Sequence, residues 1–532
     1  MSGLTERVAG RLGMDRRLLL GLLGLAVVAF VARLVPVLAS AGLHGFIDYD
    51  DGVYMGSALA LVRGRIVYRD FVMLHPPGMV YVLSPFALLS FAVSDANAFA
   101  AARLGMMALG AVSTFLVGAV AARLSRAAAI AAAALYAVWI VPIYVERSTW
   151  LVGPQNTALL LALLVLAGPR STAQPGDGEP EAAPRLGWRR CGLAGALLGI
   201  CGAIQIWAAL PALVILVWIA WRTRRQPGGW QRPTAAYVAG GLVTIAVLFA
   251  PFLVAAGPRM IRIIIFDQLG RGTDHVALIR RLVGMEGLPA ATVRVPLAHV
   301  GVVVGAVAIA AAAGLAAWRR PIVRLWAGVM AAQAGFLLLV SPSFFRHYAG
   351  WYAPVAALCL GSAAAVLGEA VARWRRARVP IVPVAYAAAL SVALAITLFP
   401  KAVHMKAPTQ AFPARAVSLL LRDARCPTSD SPTLLILTGA MRQMLDNGCP
   451  LLVSPTGVSY ETDRDPGTTR RTRPHQPEYQ AAMRAYYTGS DAAAFIRRDF
   501  SNGLSADTWA AIRARFPVER DVGRVRIFLP GG

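Results

Sequence analysis

The chain has 532 residues, 57% of them hydrophobic and 15% charged, with a formal net charge of +25. That balance excludes an ordinary soluble globular protein, in which about a quarter of residues are charged. The positive charge falls in short Arg clusters between long apolar runs, which is the positive-inside pattern of a membrane protein and argues against a nucleic-acid partner.

In chain order, Arg7, Arg11, Arg16 and Arg17 precede an apolar run from Leu18 to about Ala39. Such a run crosses a hydrocarbon core of about 30 Å at about 1.5 Å per residue. It is longer than a secretory h-region, so it reads as an uncleaved first span with a cytoplasmic N-terminus, despite the Ala39-Ser40-Ala41 sequence behind it. An outer loop, 41–97, follows. Its last part, 78–94, is apolar but short and carries Pro85, whereas the next run, 98–121, is long and ends at Arg123 and Arg126. Counting both as spans would put every later Arg cluster outside, so 78–94 is expected to lie along the outer interface or dip into it.

Further spans are expected near 127–145, 150–168, 191–205, 206–221, 234–256, 297–318, 322–341, 351–372 and 380–399, about eleven in all. This arrangement leaves Arg170 to Arg190, Arg222 to Arg225, Arg319 and Arg320, and Arg373 to Arg378 in the cytoplasm. Within 191–221, Gln205 and Pro211 mark the expected outer turn. The insert 171–184, rich in Pro, Gly and Glu, reads as a flexible linker.

Everything after Pro400 is then expected outside. It is helix-like at 411–425, 476–499 and 506–516, and strand-like at Thr433 to Thr438, Leu451 to Ser454 and Val525 to Leu529. Residues 401–532 therefore read as an extracytoplasmic α/β domain behind a polytopic α-helical membrane module, 1–400. Cys426 and Cys449 lie in that domain and could form a disulfide there, while Cys191, Cys201 and Cys359 read as small buried hydrophobes. No Cys/His spacing suggests a metal site.

Carboxylates gather beside membrane-length apolar runs in one place, where Asp48, Asp50, Asp51 and Asp70 share the loop 41–97. The cluster is either a solvated acidic turn or a general base with a second acid that orients an acceptor, since partial desolvation beside another acid raises a carboxyl pKa. His75-Pro76-Pro77-Gly78 holds His75 in a fixed direction, for phosphate contact or as a headgroup-level residue. At the outer mouth of a later span, Arg346, His347 and Tyr348 suit a lipid-linked phosphate leaving group. The loop 257–295 mixes apolar and basic residues; Met260 to Phe266 reads as an interfacial helix and Arg271 as a second phosphate ligand.

Asp50-Asp51-Gly52-Val53-Tyr54, then Tyr68-Arg69-Asp70-Phe71, His75-Pro76-Pro77-Gly78, Arg103-Leu104 and Arg346-His347-Tyr348 follow one another in an order that resembles the GT-C glycosyltransferases of the protein-mannosyltransferase and aminoarabinose-transferase type. Asp430-Ser431-Pro432 and Cys449-Pro450 look like the tail of actinobacterial members. The resemblance implies transfer of a sugar, with inversion, from a polyprenyl-phosphate donor to an extracytoplasmic acceptor (a cell-wall glycan, lipid or protein) at the plasma membrane, with no cofactor. It assigns Asp50 as base and Asp51 as the acid after it. Met73, Leu74 and His75 stand where many members have an acid and a lysine, and Gln205 where a lysine is frequent, so a second acidic role passes to Asp70 and phosphate binding to His75 and Arg346. Two other classes fit the topology: a transporter or flippase of a lipid-linked substrate, which would carry its ionisable groups near the bilayer midplane, and a non-catalytic envelope scaffold.

Overall fold

A computed structural model describes residues 14–168, 186–273, 275–285, 311, 314–376, 379, 381–398, 409–462, 472–496 and 503–531. The chain is mainly helical. Its first helix, α1 (Arg16–Leu38), is capped by Asp15, whose carboxylate accepts from the Leu18 amide. Then come α2 (Tyr49–Val62), α3 (Gly78–Leu88), α4 (Asp95–Ala121), α5 (Arg126–Val138) and α6 (Val152–Ala167). They are followed by α7 (Trp188–Ile204), α8 (Ala209–Thr223), α9 (Gln231–Ala256), α10 (Pro321–Gly335), α11 (Ala353–Trp374) and α12 (Ile381–Leu398).

Among the described residues, six helical stretches are long and apolar enough to cross a membrane: Arg16–Leu38, Asp95–Ala121, Ile206–Thr223, Gln231–Ala256, Pro321–Val340 and Ala353–Trp374. Shorter apolar helices lie at Gly78–Phe91, Arg126–Val138, Val152–Ala167 and Ile381–Ala395. The stretch expected to span 297–318 and the insert 171–184 lie wholly or mostly outside the described residues. Extended backbone at Gln205 ends α7, and one 3-10 turn, Ile206–Ala208, leads into α8. Small residues bring α7 and α9 together: a Cβ on Gly195 would lie 1.9 Å from the Tyr237 carbonyl oxygen. That spacing leaves the two backbones in contact, the way helices pack where lipid offers no hydrophobic drive.

The link between α5 and α6 is not a loop at the surface. After a short helix, Ile140–Val145, the residues Glu146 to Trp150 are all buried. Glu146 accepts two hydrogen bonds from Arg33 of α1, at 2.6 and 2.9 Å, and one from the Tyr136 hydroxyl at 2.6 Å. A buried charge is tolerable only with its partners in place, so this pair fixes the link against α1.

After residue 409 the material changes. Helices α13 (Ala414–Leu421), α14 (Pro432–Thr438), α15 (Ala440–Asp446), α16 (Pro455–Thr462), α17 (Pro477–Thr488) and α18 (Ala506–Arg515) surround a four-stranded sheet. Its strands are β1 (Pro427–Ser429), β2 (Ala492–Phe495), β3 (Val518–Val522) and β4 (Val525–Leu529), in the order β1-β2-β4-β3. β1 and β2 run parallel and the other pairs antiparallel, with a two-residue turn at Gly523-Arg524 joining β3 to β4.

Two sequence expectations fail here. Thr433 to Thr438 is helix rather than strand, and Leu451 to Ser454 is irregular. A short apolar run does not by itself distinguish a buried helix from a strand. The bracketing residues decide it: Pro432 sits in the first turn, and Gly439, at φ 78°, follows the last. The helical pattern at 476–499 also covers too much, since α17 stops at Thr488 and β2 begins at Ala492.

This C-terminal region docks on the loop that follows α1. Phe46 and Gln410 exchange backbone hydrogen bonds, and the Thr433 hydroxyl donates to the Asp48 carbonyl at 2.8 Å. Gly52 faces α14 so closely that a Cβ there would lie 2.2 Å from the Thr433 amide nitrogen. One apolar cluster runs from Tyr54 and Met55 through Leu434 and Met441, and a Cys426–Cys449 disulfide, with S–S 2.01 Å, closes the segment between them in the chain.

Candidate active site

Asp48 caps α2 by accepting from the Tyr49 amide, and Asp50 and Asp51 fall in the first turn, where the helix dipole favours negative charge. Successive helical residues point about 100° apart, so the two neighbouring acids diverge. Asp50 faces a cavity of about 540 Å³; Asp51 turns into the protein.

Seven parts of the chain line that cavity. The start of α2 brings Asp50 and Tyr54, and the segment behind it His75. The α5–α6 link brings Trp150, and the break after α7 brings Gln205 and Trp207. Arg271 follows α9, while Ser343, His347 and Tyr348 stand between α10 and α11. The C-terminal region closes it with Thr456, Tyr460 and Arg473. Its volume falls in the range of small-molecule sites, about 300–1,000 Å³.

The electrostatics order these groups. Tyr348 and Tyr460 both act on the Arg271 guanidinium, which lies 5.5 Å from the Tyr460 ring centre and donates to Gln268 Oε1 at 3.4 Å. Burial, and then the Asp50 carboxylate, hold the Tyr54 phenol well above its ordinary pKa. Tyr348 is raised mainly by burial, with Arg271 opposing the shift and Asp50 adding to it. Asp50 and Arg271 thus act on the same two phenols, which puts acid and cation at one centre.

His75 is half-buried, lines the cavity and packs 5.7 Å from the Tyr54 ring. Its depth below the surface, followed by the charges of Arg271 and His347, pushes its imidazole down to about 3. It is therefore a neutral hydrogen-bond donor at physiological pH, not a cation. His347 stacks on Phe345 and lies 4.8 Å from Trp150, in an aromatic wall that continues through Trp207 and Tyr348, also 4.8 Å apart.

Of the residues expected from the sequence, Asp50, His75, Arg271, His347 and Tyr348 come together. Asp51 and Asp70 do not. Asp70 pairs with Arg69 at 2.8 Å and accepts from the Ile66 amide at 2.7 Å, closing the turn before Phe71, and its carboxyl is held low chiefly by Arg69. The Arg346 side chain lies outside the described residues; only its backbone, opening the turn Arg346–Trp351, is described. Cys426 and Cys449 are far from this chemistry in role, serving the C-terminal fold. Tyr54, Trp150, Tyr460 and Arg473 carried no role in the sequence reading. No local motif marks Tyr460, whereas Arg473 closes a conspicuous polar stretch that begins at Glu461.

Asp51 is fully buried and satisfied. Its Oδ2 accepts from Arg103 Nε and Nη2, at 3.0 and 2.5 Å, and its Oδ1 accepts from the Thr149 amide and hydroxyl, at 2.9 and 2.8 Å. Arg103 in turn donates to the Leu43 and Gly45 carbonyls. The pair clamps α4, the α5–α6 link and the entry to α2, one residue after Asp50 and away from the cavity lining. Asp51→Asn is expected to lower stability by about 3–5 kcal/mol, because it leaves Arg103 buried without its counter-charge. Thermal melting in detergent reads this. An unchanged melting temperature with lost turnover would instead make Asp51 a direct participant.

Residues 73–342 match the sequence profile of glycosyltransferase family 87. Among solved structures, the chain is similar to ArnT from Cupriavidus metallidurans bound to undecaprenyl phosphate, with a TM-score of 0.57 and 15% identity over 96% of this chain and 98% of that one. It is also similar to the oligosaccharyltransferase of Archaeoglobus fulgidus tethered to an acceptor peptide by a disulfide, with a TM-score of 0.55 and 13% identity over 90% and 69% of the two chains. The same scores and coverage hold for AglB from that organism, in complex with an inhibitory peptide and a dolichol-phosphate. At these identities the likeness is one of fold, the multi-pass helical GT-C architecture. No curated protein matches the sequence.

Proposed function

Because the chain belongs to glycosyltransferase family 87, we propose that it moves a sugar from a polyprenyl-phosphate donor to an acceptor hydroxyl at the outer face of the plasma membrane, with inversion and with Asp50 as the base. The observation that carries this reading is the single cavity that joins Asp50 to Arg271, His75, His347 and Tyr348. The similar folds were solved with undecaprenyl phosphate and dolichol-phosphate, which supports a lipid-linked phosphate donor here.

The acceptor oxygen attacks the anomeric carbon as the bond from that carbon to the phosphate oxygen breaks. Its proton passes to the Asp50 carboxylate, and the electron pair leaves with the polyprenyl phosphate. Charge that builds on the phosphate oxygens meets the Arg271 guanidinium, which sits beside the Tyr348 and Tyr460 phenols, and the neutral N–H of His75. Attack from one side and departure on the other invert the carbon in one displacement. The aromatic wall of Trp150, Trp207 and Tyr348 gives the sugar an apolar face to stack on and limits water.

In this reading residues 1–400 form the membrane module and 401–532 an outer domain that completes the cavity, with the N-terminus cytoplasmic. A disulfide at Cys426–Cys449 supports an oxidising side for that domain. The test is to incubate the purified full chain in nanodiscs with a panel of hexose- and pentose-loaded polyprenyl phosphates and a cell-envelope extract, and to follow products by mass spectrometry. Release of free polyprenyl phosphate with a glycosylated product of inverted anomeric configuration is expected. Donors that stay intact across the whole panel would refute the reading.

A further inference from the structure

The cavity has a second basic residue, contributed by the C-terminal region. Arg473 opens the short turn Arg473–His475, lines the cavity and is only 4% exposed. Its Nε is buried without a hydrogen-bond partner among the described residues. Three other arginines that belong to the C-terminal region or touch it are engaged: Arg442 on Asp95 and the Ser90 and Val93 carbonyls, Arg259 on Glu461, and Arg526 on Asp521. A buried guanidinium with an unused donor is costly unless a ligand supplies the missing anion.

The placement is built rather than incidental. Gln480 Nε2 donates to the carbonyls of Arg473 and Gly503, at 2.8 and 2.7 Å, while its Oε1 accepts from the Ser505 amide and the Thr508 hydroxyl, at 2.8 and 2.7 Å. The full capacity of one buried amide therefore fixes the backbone that carries Arg473. Gly503, at φ 84°, leaves room for the Arg473 stem; a Cβ there would lie 3.1 Å from Arg473 Cβ and Cδ.

Arg473 reaches the cavity from the C-terminal region, whereas Arg271 reaches it from the segment after α9. The Arg271 charge acts on His75, Tyr54 and Tyr348, and the Asp50 carboxylate on the two phenols. Its neighbours along the wall from the C-terminal region are hydroxyl-bearing, Ser454, Thr456 and Tyr460, which suit a polar sugar.

We infer that Arg473 binds an anionic group on the acceptor, a carboxylate or a phosphate ester, so that the enzyme selects acidic acceptors. The inference rests on the transferase reading above. A polyprenyl-phosphate sugar carries one negative charge at its phosphodiester, which Arg271 and its neighbours meet. The second guanidinium calls for a second anion, and the acceptor is the other molecule that the reaction brings in. Arg473 is a binding residue and takes no part in the bond changes.

The test titrates the full chain in nanodiscs with methyl glucoside, methyl glucuronide and methyl glucoside 6-phosphate, and with farnesyl phosphate as a mimic of the donor lipid, reading the fluorescence of the cavity tryptophans. Wild-type protein is expected to bind at least one anionic sugar about tenfold more tightly than the neutral one. The tighter of the two names the acceptor's group. Arg473→Gln removes the preference, Arg473→Lys keeps part of it, and both leave farnesyl phosphate binding intact; Arg271→Gln does the reverse. Equal binding of charged and neutral sugars by wild-type protein overturns the inference without any variant having to fold. So does a loss of farnesyl phosphate binding in Arg473→Gln, which would move Arg473 to the donor. A preference that persists while no donor is ever turned over would leave the anion site standing and refute the transferase reading. Transfer to anionic acceptors by Arg473→Gln at the wild-type KM would refute the inference alone.

Discussion

Replacing Asp50 by Asn is expected to slow sugar transfer roughly 100- to 10,000-fold, while donor affinity stays within about threefold of wild type. The asymmetry follows from position. Asp50 sits in the first turn of α2 facing the cavity, and its carboxylate is felt by Tyr54 and Tyr348, whereas the donor phosphate in this reading is met by Arg271 and His75. Asn keeps the shape and one acceptor oxygen but cannot take a proton, so the loss falls on kcat and not on donor KM. Two controls separate chemistry from fold. Asp48→Asn touches the cap of the same helix, and since Asn also caps well, it is expected to alter turnover only weakly. Melting temperature reports whether the α2–α14 contact at Gly52 survives. Near-normal turnover of Asp50→Asn at saturating donor and acceptor would remove Asp50 from the role of base.

The acidic turn was legible because carboxylates are rare beside membrane-length apolar runs, and the helical direction of 49–62 explains the rest. Sequence spacing alone treats Asp50 and Asp51 as a pair. The helix separates them by about 100°, sending one to the cavity and the other to Arg103 and Thr149. Asp70 misled for a related reason: its neighbour Arg69 consumes it locally, and an adjacent ion pair has no periodic signature. His75 was visible through the rigid Pro76-Pro77 that follows it, but not its neutrality, which depends on burial and then on the Arg271 guanidinium brought from a distant part of the chain.

The contribution of the C-terminal region was the least legible part. Its apolar run 433–438 looks like a strand until Pro432 and Gly439 are read as helix punctuation. Once it is a helix, the close approach of Gly52 to Thr433 makes sense, because a flat helix-on-helix contact there sets the angle of α2 and hence of Asp50. Glu461 extends the same logic. It takes a bidentate contact from Arg259, at 2.6 and 3.0 Å, and its carbonyl accepts from Arg262, so the segment leading to Arg271 is tied to α16. These contacts join residues about 200 to 400 positions apart in the chain, and no local pattern reports them. A cavity assembled this way reads as incomplete from either part alone.

That assembly makes Arg271 the second large expected effect. Arg271→Gln is expected to lower kcat about 100- to 1,000-fold, the scale seen when one preorganised group that meets developing negative charge is removed. Donor KM should rise as well, because the guanidinium meets the phosphate in the ground state too, with a larger share of the loss in kcat as the sugar–phosphate bond breaks. Arg271→Lys should recover only part of the rate, since a point charge lacks the planar fork that Arg271 sets among Gln268, Tyr348 and Tyr460. Tyr348→Phe and Tyr460→Phe test that orientation directly. Each removes a hydroxyl that acts on Arg271 and keeps the ring, so each should cost up to about tenfold, the scale of a polar interaction with a charged group of about 1.5 kcal/mol. The measurement is steady-state kinetics against donor, paired with binding of free polyprenyl phosphate to each variant. If Arg271→Gln leaves both kcat and polyprenyl phosphate binding unchanged, the leaving group is held elsewhere, and the cavity's acid and its phosphate site do not share the centre that Tyr54 and Tyr348 define.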